Sequence, residues 1–302
     1  MMIRLLALLL LPFGAACAAT TEPPQAAAPA AAPAFASDRI SVEVRGTGPD
    51  VVLIPGLSSH PEVWESTVAA VPGYRYHLVH VAGFGGKAPG ANASGAVVEP
   101  VAEEIARYIR EARLERPALV GHSLGGTWAM LVGARHPELA SRVMVIDMLP
   151  FLGVMFGMPD ATPETMRPIA EQIRRGMATS TGETRRRQVE QTIATMVRTE
   201  SLRPAVVART LASDPAVSAQ AMYDLAMLDL RGELANIRGP MTVLWAMPPG
   251  VPITAEATEA GYRASYRNAP QAVVKRIPES WHFIMFDQPE VFQRELREFL
   301  GG

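Results

Sequence analysis

Cysteine is nearly absent from this sequence, and its scarcity excludes several kinds of site. The 302 residues include one cysteine, Cys17. A single thiol forms no disulfide within the chain and supplies no CxxC metal or redox site. The six histidines contain no HxxxH or HxH pair, so a histidine-rich metal site has no support either. We therefore expect no metal site.

An excess of charge of either sign is also absent. The 28 Lys and Arg residues nearly balance the 30 Asp and Glu residues, which leaves a formal net charge of -2. The sequence therefore has neither a basic field that would attract nucleic acid nor an acidic tail. Hydrophobic residues make up 48% of the chain, which is enough for a sizeable core. These totals predict a globular protein without a nucleic-acid partner.

The N-terminal apolar run, residues 5–13, is too short for a transmembrane helix, which needs about 20 residues. It follows the positive charge of Arg4 and precedes a group of small residues, as in an export signal over residues 1–18. Two interpretations of its cleavage remain open. Ala16-Cys17-Ala18 fits an ordinary cleavage site, whereas Gly14-Ala15-Ala16-Cys17 resembles a bacterial lipobox in which Cys17 is lipidated. Either way we expect an exported protein, periplasmic or secreted, with membrane attachment only through a lipid on Cys17.

The remaining chain divides into a linker and one domain. Residues 19–37 are rich in Ala and Pro, which predicts an extended linker. From residue 38 to 302, short apolar runs alternate with helical patterns. We predict strands at 40–45, 51–54, 76–81, 118–121, 143–146, 241–245 and 273–277. The alternation predicts an α/β fold with a mostly parallel sheet covered by helices on both faces.

Residues 148–228 interrupt this alternation. They show no strand pattern, and prolines that include Pro163, Pro204 and Pro215 separate their helical runs. We interpret them as a helical cap inserted into the domain.

One motif indicates chemistry. Gly121-His122-Ser123-Leu124-Gly125 follows a predicted strand and opens a helical run, which is the context that the GxSxG turn requires. The turn is so tight that small residues are needed two positions before and after the serine. A serine at a helix N-terminus also lies where backbone N–H groups favour developing negative charge. We therefore predict that Ser123 is a nucleophile.

With this motif and several others, the chain resembles the α/β-hydrolase superfamily over about residues 40–300. Leu53-Ile54-Pro55-Gly56-Leu57 is similar to the family's oxyanion turn, with Pro55 in place of the usual His. Val81-Ala82-Gly83-Phe84-Gly85-Gly86 is similar to its D-x-x-G-x-G loop, with Val81 in place of Asp. Trp281-His282-Phe283 looks like its catalytic histidine turn. In the family's strand numbering, the predicted cap follows strand six.

The resemblance implies a Ser-His-acid triad with His282 as the base, because the acid and the histidine follow the serine in the family's chain order. The position of the acid remains open. The segment after strand seven, where most members have it, contains no carboxylate until Glu256 and Glu259. A minority of members place the acid after strand six, where this chain has Asp147. We favour Asp147, because a carboxylate at the end of a buried strand needs a partner.

The resemblance also implies two oxyanion donors, the backbone N–H groups of Leu57 and Leu124. It implies a serine hydrolase without a cofactor, and we expect a carboxylic ester hydrolase that forms an acyl-enzyme. The same triad could act on a lactone, an amide or a carbon–carbon bond, or transfer an acyl group. A hydrolase-like binding protein without catalysis is a further alternative.

The substrate is indicated only by the start of the predicted cap. An apolar cluster there either lines the entrance to the site, which would fit a small apolar ester, or packs the cap onto the body. Its members are Met148, Phe151, Leu152, Val154, Met155, Phe156 and Met158.

Overall fold

The computed structural model describes residues 35–156, 158, 160–247, 250 and 253–301. The predicted export signal and the linker up to residue 34 lie outside the described residues, so both stay predictions. No helix in the described ranges has the length and apolar character needed to cross a membrane.

Within the described residues, seven strands form one sheet. They are β1 (Ile40–Gly46), β2 (Asp50–Ile54), β3 (Arg75–Val81), β4 (Ala118–His122), β5 (Arg142–Ile146), β6 (Met241–Trp245) and β7 (Ala272–Arg276). The strand order is β1-β3-β2-β4-β5-β6-β7, with β1 antiparallel to β3 and every other pair parallel. Each predicted strand is present, with its ends within one residue of the prediction. The family's strands six and seven correspond to β5 and β6.

The two faces of the sheet contact separate apolar clusters, because successive side chains of a strand point to opposite faces. Val52 and Ile54 of β2 belong to one cluster, together with apolar residues of α2 (Val98–Glu111) and α3 (Leu124–Arg135). Val51 and Leu53 belong to the other cluster, together with α10 (Pro289–Gly301). Helices therefore cover both faces, as predicted. The same body contains α1 (Glu65–Ala70), α8 (Ala255–Ser265) and α9 (Ile284–Asp287).

The described chain between β5 and β6 contains four α-helices and no strand. They are α4 (Pro163–Thr179), α5 (Gly182–Met196), α6 (Arg203–Ala212) and α7 (Pro215–Met227). Helix α4 packs against α7, and α5 packs against α6. Pro163, Pro204 and Pro215 lie in the first turns of α4, α6 and α7, where the missing N–H would have no partner within the helix. This stretch includes the region interpreted as a cap.

Candidate active site

Ser123 lies in the turn between β4 and α3, with φ +55° and ψ -125°. A residue other than glycine is strained in this conformation. The turn depends on two glycines, because a Cβ on Gly121 would collide with the carbonyl oxygen of Gly125. A Cβ on Gly125 would collide with the carbonyl oxygen of Ile54. The Ser123 N–H donates to the Ile146 carbonyl at 2.8 Å, which ties the turn to β5.

Asp147 directly follows β5, and its carboxylate contacts the predicted base. His282 Nδ1 and Asp147 Oδ2 are 2.7 Å apart, and because the carboxylate only accepts, Nδ1 is the donor. The other oxygen, Oδ1, accepts from the Ala246 N–H at 3.0 Å and from the Tyr262 hydroxyl at 3.2 Å. The Asp147 side chain is 14% exposed. Both oxygens therefore have partners, which a largely buried carboxylate requires.

The two alternative acids do not follow β5 but lie on α8. Glu256 is exposed in the first turn of that helix. Glu259 forms an ion pair with Arg263, one turn further along the helix, at 2.7 Å. In the described ranges neither carboxylate contacts His282.

Ser123 and His282 line the same cavity, whose volume is about 450 Å³. Their side chains are not joined by a hydrogen bond within the described ranges. In structures without substrate such contacts are often long, and they shorten when the substrate binds.

Three contacts hold the turn that contains His282. The Trp281 N–H donates to Asp287 Oδ2 at 2.9 Å. The Phe283 N–H donates to the Met196 carbonyl at 3.2 Å, which connects the turn to the last residue of α5. The backbone on both sides of His282 is therefore fixed. The third contact is a hydrogen bond from His122 Nε2–H to the carbonyl of His282.

Two backbone N–H groups beside Ser123 have no acceptor in the described part of the chain, those of Leu57 and Leu124. Leu124 is the first residue of α3, so its N–H has no partner within the helix. Leu57 lies in the cavity wall beside Gly56. Gly56 packs so closely against the serine turn that a Cβ there would lie 3.0 Å from Ser123 Cβ. Both predicted oxyanion donors therefore remain free to bind an anion.

The comparison with protein families agrees with this geometry. A model described as the alpha/beta hydrolase family matches residues 51–295, more than half of the chain. The chain belongs to the alpha/beta hydrolase family.

Three proteins that resemble this alpha/beta hydrolase over most of its length share a quarter or less of its residues. The pimeloyl-[acyl-carrier protein] methyl ester esterase of Vibrio cholerae is 25% identical over 258 residues, which cover 85% of this chain and 96% of the relative. An esterase from Exiguobacterium antarcticum has a TM-score of 0.71 at 21% identity, covering 87% of this chain and 96% of that one. An enol-lactonase from Burkholderia xenovorans LB400 has a TM-score of 0.69 at 17% identity, with the same coverage. At these identities the two solved structures show the fold alone.

The cavity of this alpha/beta hydrolase is walled mainly by apolar side chains from the segment between β5 and β6. Four residues of the predicted apolar cluster line it: Met148, Leu152, Met155 and Phe156. Phe151 and Val154 pack into the core instead, as does Met158. Both alternatives for this cluster therefore hold, each for some of its members.

His122 and Tyr262 contact the residues of the proposed triad. The sequence predicted no role in the site for either of them. The His122 Nε2–H donates to the carbonyl of His282 at 3.0 Å, and the two rings are 4.7 Å apart. Burial, and then the nearby His282, hold the pKa of His122 well below its usual range, so its ring is neutral. Burial, and then Asp147, raise the pKa of Tyr262 well above its usual range, so its hydroxyl stays a donor. The sequence indicated neither contact, because each joins distant parts of the chain: His122 occupies a variable position of the serine motif, and Tyr262 belongs to no motif.

In the described ranges, no group of three or more His, Cys, Asp or Glu residues is arranged to hold a metal ion.

Proposed function

We propose that this alpha/beta hydrolase is a serine hydrolase that cleaves small carboxylic esters (EC 3.1.1-like), with Ser123 as nucleophile, His282 as base and Asp147 as the acid. The observation that supports this best is the 2.7 Å hydrogen bond from His282 to Asp147 in the cavity that Ser123 also lines. Donation from Nδ1 leaves the Nε2 lone pair of His282 available as a base.

The reaction follows from these roles. Ser123 Oγ attacks the ester carbonyl while His282 Nε2 accepts its proton. The imidazolium that forms is stabilised by Asp147, and it then protonates the leaving alcohol. Water then enters, gives one proton to His282 and attacks the acyl carbonyl. The second tetrahedral intermediate breaks its bond to Ser123 Oγ, which takes that proton back from His282, and the acid is released. The oxyanion of each tetrahedral intermediate would accept from the free N–H groups of Leu57 and Leu124.

A small, mainly apolar ester fits the cavity. The cavity volume of about 450 Å³ lies within the range of small-molecule sites. The segment between β5 and β6 contributes apolar side chains to its wall, among them Ile173, Met177, Val189, Ile193, Met196 and Met222. The Vibrio cholerae relative is named for the hydrolysis of a methyl ester, which also favours an ester over an amide.

Hydrolysis of p-nitrophenyl esters and labelling by a fluorophosphonate probe test this proposal together. We expect turnover of the esters and attachment of one probe molecule to the peptide that contains Ser123. A lactone and an anilide of similar size serve as competing substrates. A protein that neither hydrolyses an ester nor reacts with the probe would contradict the proposal, and faster turnover of the lactone would change the substrate class.

The pH dependence should show a single protonation on the acid side. Protonated His282 cannot accept the Ser123 proton, so kcat/KM should fall as the medium is acidified. His122 should add no second proton, because its pKa is already lowered well below the usual range. A plot of log kcat/KM against pH should therefore reach a slope of one. His122→Gln should keep this acid limb, and a slope of two in the unsubstituted protein would contradict the assignment.

Tyr262 is proposed as a positioning residue for Asp147. Tyr262→Phe should lower kcat about tenfold with little change in KM, because one charge-assisted hydrogen bond to Asp147 Oδ1 is lost. Tyr266→Phe is the matched control. Tyr266 is buried, whereas Tyr262 is partly buried, and it lies four residues further along. Its hydroxyl donates to the Met148 carbonyl at 2.8 Å instead. Equal kcat for the two variants, at equal melting temperature, would show that the Tyr262 hydroxyl has no positioning function.

A further inference from the structure

Arg185 is a cation in the wall of the catalytic cavity without a carboxylate partner in the described part of the chain. It lies on α5, is half-buried, and lines the same cavity as Ser123 and His282. Several other arginines of this segment pair with acids, for example Arg209 with Glu62 at 2.5 Å. A partly desolvated cation in a mainly apolar cavity costs free energy unless an anion compensates for it.

The hydrogen bonds of Arg185 go to neutral groups and leave it without an anionic partner in the described ranges. Its guanidinium donates to the carbonyls of Leu211 at 3.0 Å, Thr210 at 3.3 Å and Ser213 at 2.8 Å. These acceptors lie in the last turn of α6 and at its C-cap, where carbonyl groups and the helix dipole favour a cation, but none of them is ionised. Three of the five guanidinium N–H groups are used in this way. The Nε–H and one Nη1–H remain for a ligand.

Arg185 lies near the end of α5 that is opposite to the residue in contact with the His282 turn. Gln188, Thr192 and Met196 follow it on the cavity side of the helix. Met196 binds the backbone beside His282, so it marks the catalytic end. Arg185 precedes it by eleven residues, or about 16 Å between Cα atoms at the rise of an α-helix.

The side chains between the two ends are mainly apolar. Val189 and Ile193 of α5 and Met177 of α4 line the cavity there. Polar groups return near Arg185, where Ser180 Oγ donates to Gln188 Oε1 at 2.6 Å and both residues line the wall. Along α5 the cavity wall thus has a reactive end beside His282, an apolar middle and a cationic end at Arg185.

We propose that the substrate is an ester whose acyl chain ends in a carboxylate, and that Arg185 binds this distal carboxylate. The inference rests on the proposed function, because it assumes that the ester reacts at Ser123. The apolar middle of the cavity holds the alkyl chain. A charge-assisted hydrogen bond from Arg185 selects substrates that carry a carboxylate at the far end of this chain.

Pairs of methyl esters that differ only at the far end test this proposal. Monomethyl adipate, suberate and sebacate are compared with methyl hexanoate, octanoate and decanoate at a pH where the free carboxyl groups are ionised. The monomethyl esters of the diacids, called half-esters here, carry a free carboxylate at the far end. Each half-ester should have a kcat/KM about tenfold or more above that of the neutral ester of the same chain length. Arg185→Gln should reduce this ratio toward one, and Arg185→Lys, which keeps the charge, should retain part of it.

Arg186→Gln is the matched control on the same helix. The Arg186 side chain is 56% exposed beside Glu183 and Glu190, and it is absent from the cavity wall, so its substitution should leave the ratio unchanged.

The other outcomes separate the two proposals. Hydrolysis of the neutral esters with no preference for any half-ester would overturn the distal site and leave the esterase proposal intact. Equal slowing of both esters by Arg185→Gln would also overturn it, because Arg185 would then only hold the end of α6. No hydrolysis of any ester would overturn the esterase proposal and the distal site with it.

Discussion

Replacing Ser123 with alanine should abolish nearly all ester hydrolysis and leave the fold intact. The substitution removes one hydroxyl that has no hydrogen-bond partner in the described ranges and keeps the backbone turn that Gly121 and Gly125 permit. It also removes the covalent step, and loss of a triad serine in other hydrolases lowers kcat by about 10⁶. Turnover of a p-nitrophenyl ester and the melting temperature are the two measurements.

Ser265→Ala is a suitable control for this prediction. Ser265 is also buried, but its hydroxyl donates to the Gly261 carbonyl within α8, away from the cavity. The Ser265→Ala variant should keep its turnover and its labelling by the fluorophosphonate, whereas Ser123→Ala should lose both. More than a few per cent of the original turnover in Ser123→Ala would show that another group is the nucleophile.

The strands and the serine turn could be predicted because their causes are local. A buried parallel strand is a continuous apolar run, and the sheet places such runs between helices. The serine turn needs small residues at two fixed positions, since a Cβ at either would collide with a neighbouring carbonyl. Such causes are visible within a few residues of sequence.

The supports of the site could not be predicted because they connect distant residues. Asp147 accepts from Ala246 and Tyr262, which are 99 and 115 positions away, and no spacing rule connects them. The sequence likewise favoured Asp147 as the acid but left two glutamates as alternatives. Only the fold shows that Glu259 pairs with Arg263 on the outside of α8, while Asp147 reaches His282.

Changing Asp147 to asparagine should reduce kcat by about 10⁴ with little change in stability. Asp147 has φ +50°, and asparagine tolerates this conformation better than most residues. The amide oxygen could still accept from Ala246 and Tyr262. Its NH₂ group would then face His282 Nδ1, where two donors repel each other. His282 should therefore adopt the other tautomer, with its proton on Nε2, and could no longer accept the Ser123 proton.

Glu256→Gln and Glu259→Gln complete this test. If Asp147 is the acid, both variants should keep near-normal turnover, because Glu256 is exposed and Glu259 loses only a surface ion pair worth about 0.5 kcal/mol. If a glutamate of α8 were the acid, the pattern would be reversed. One of these two variants would be inactive, and Asp147→Asn would lower the melting temperature while sparing turnover. Measuring kcat and melting temperature for the three variants distinguishes the cases, because an orienting carboxylate changes kcat without unfolding the protein and a structural one does the opposite.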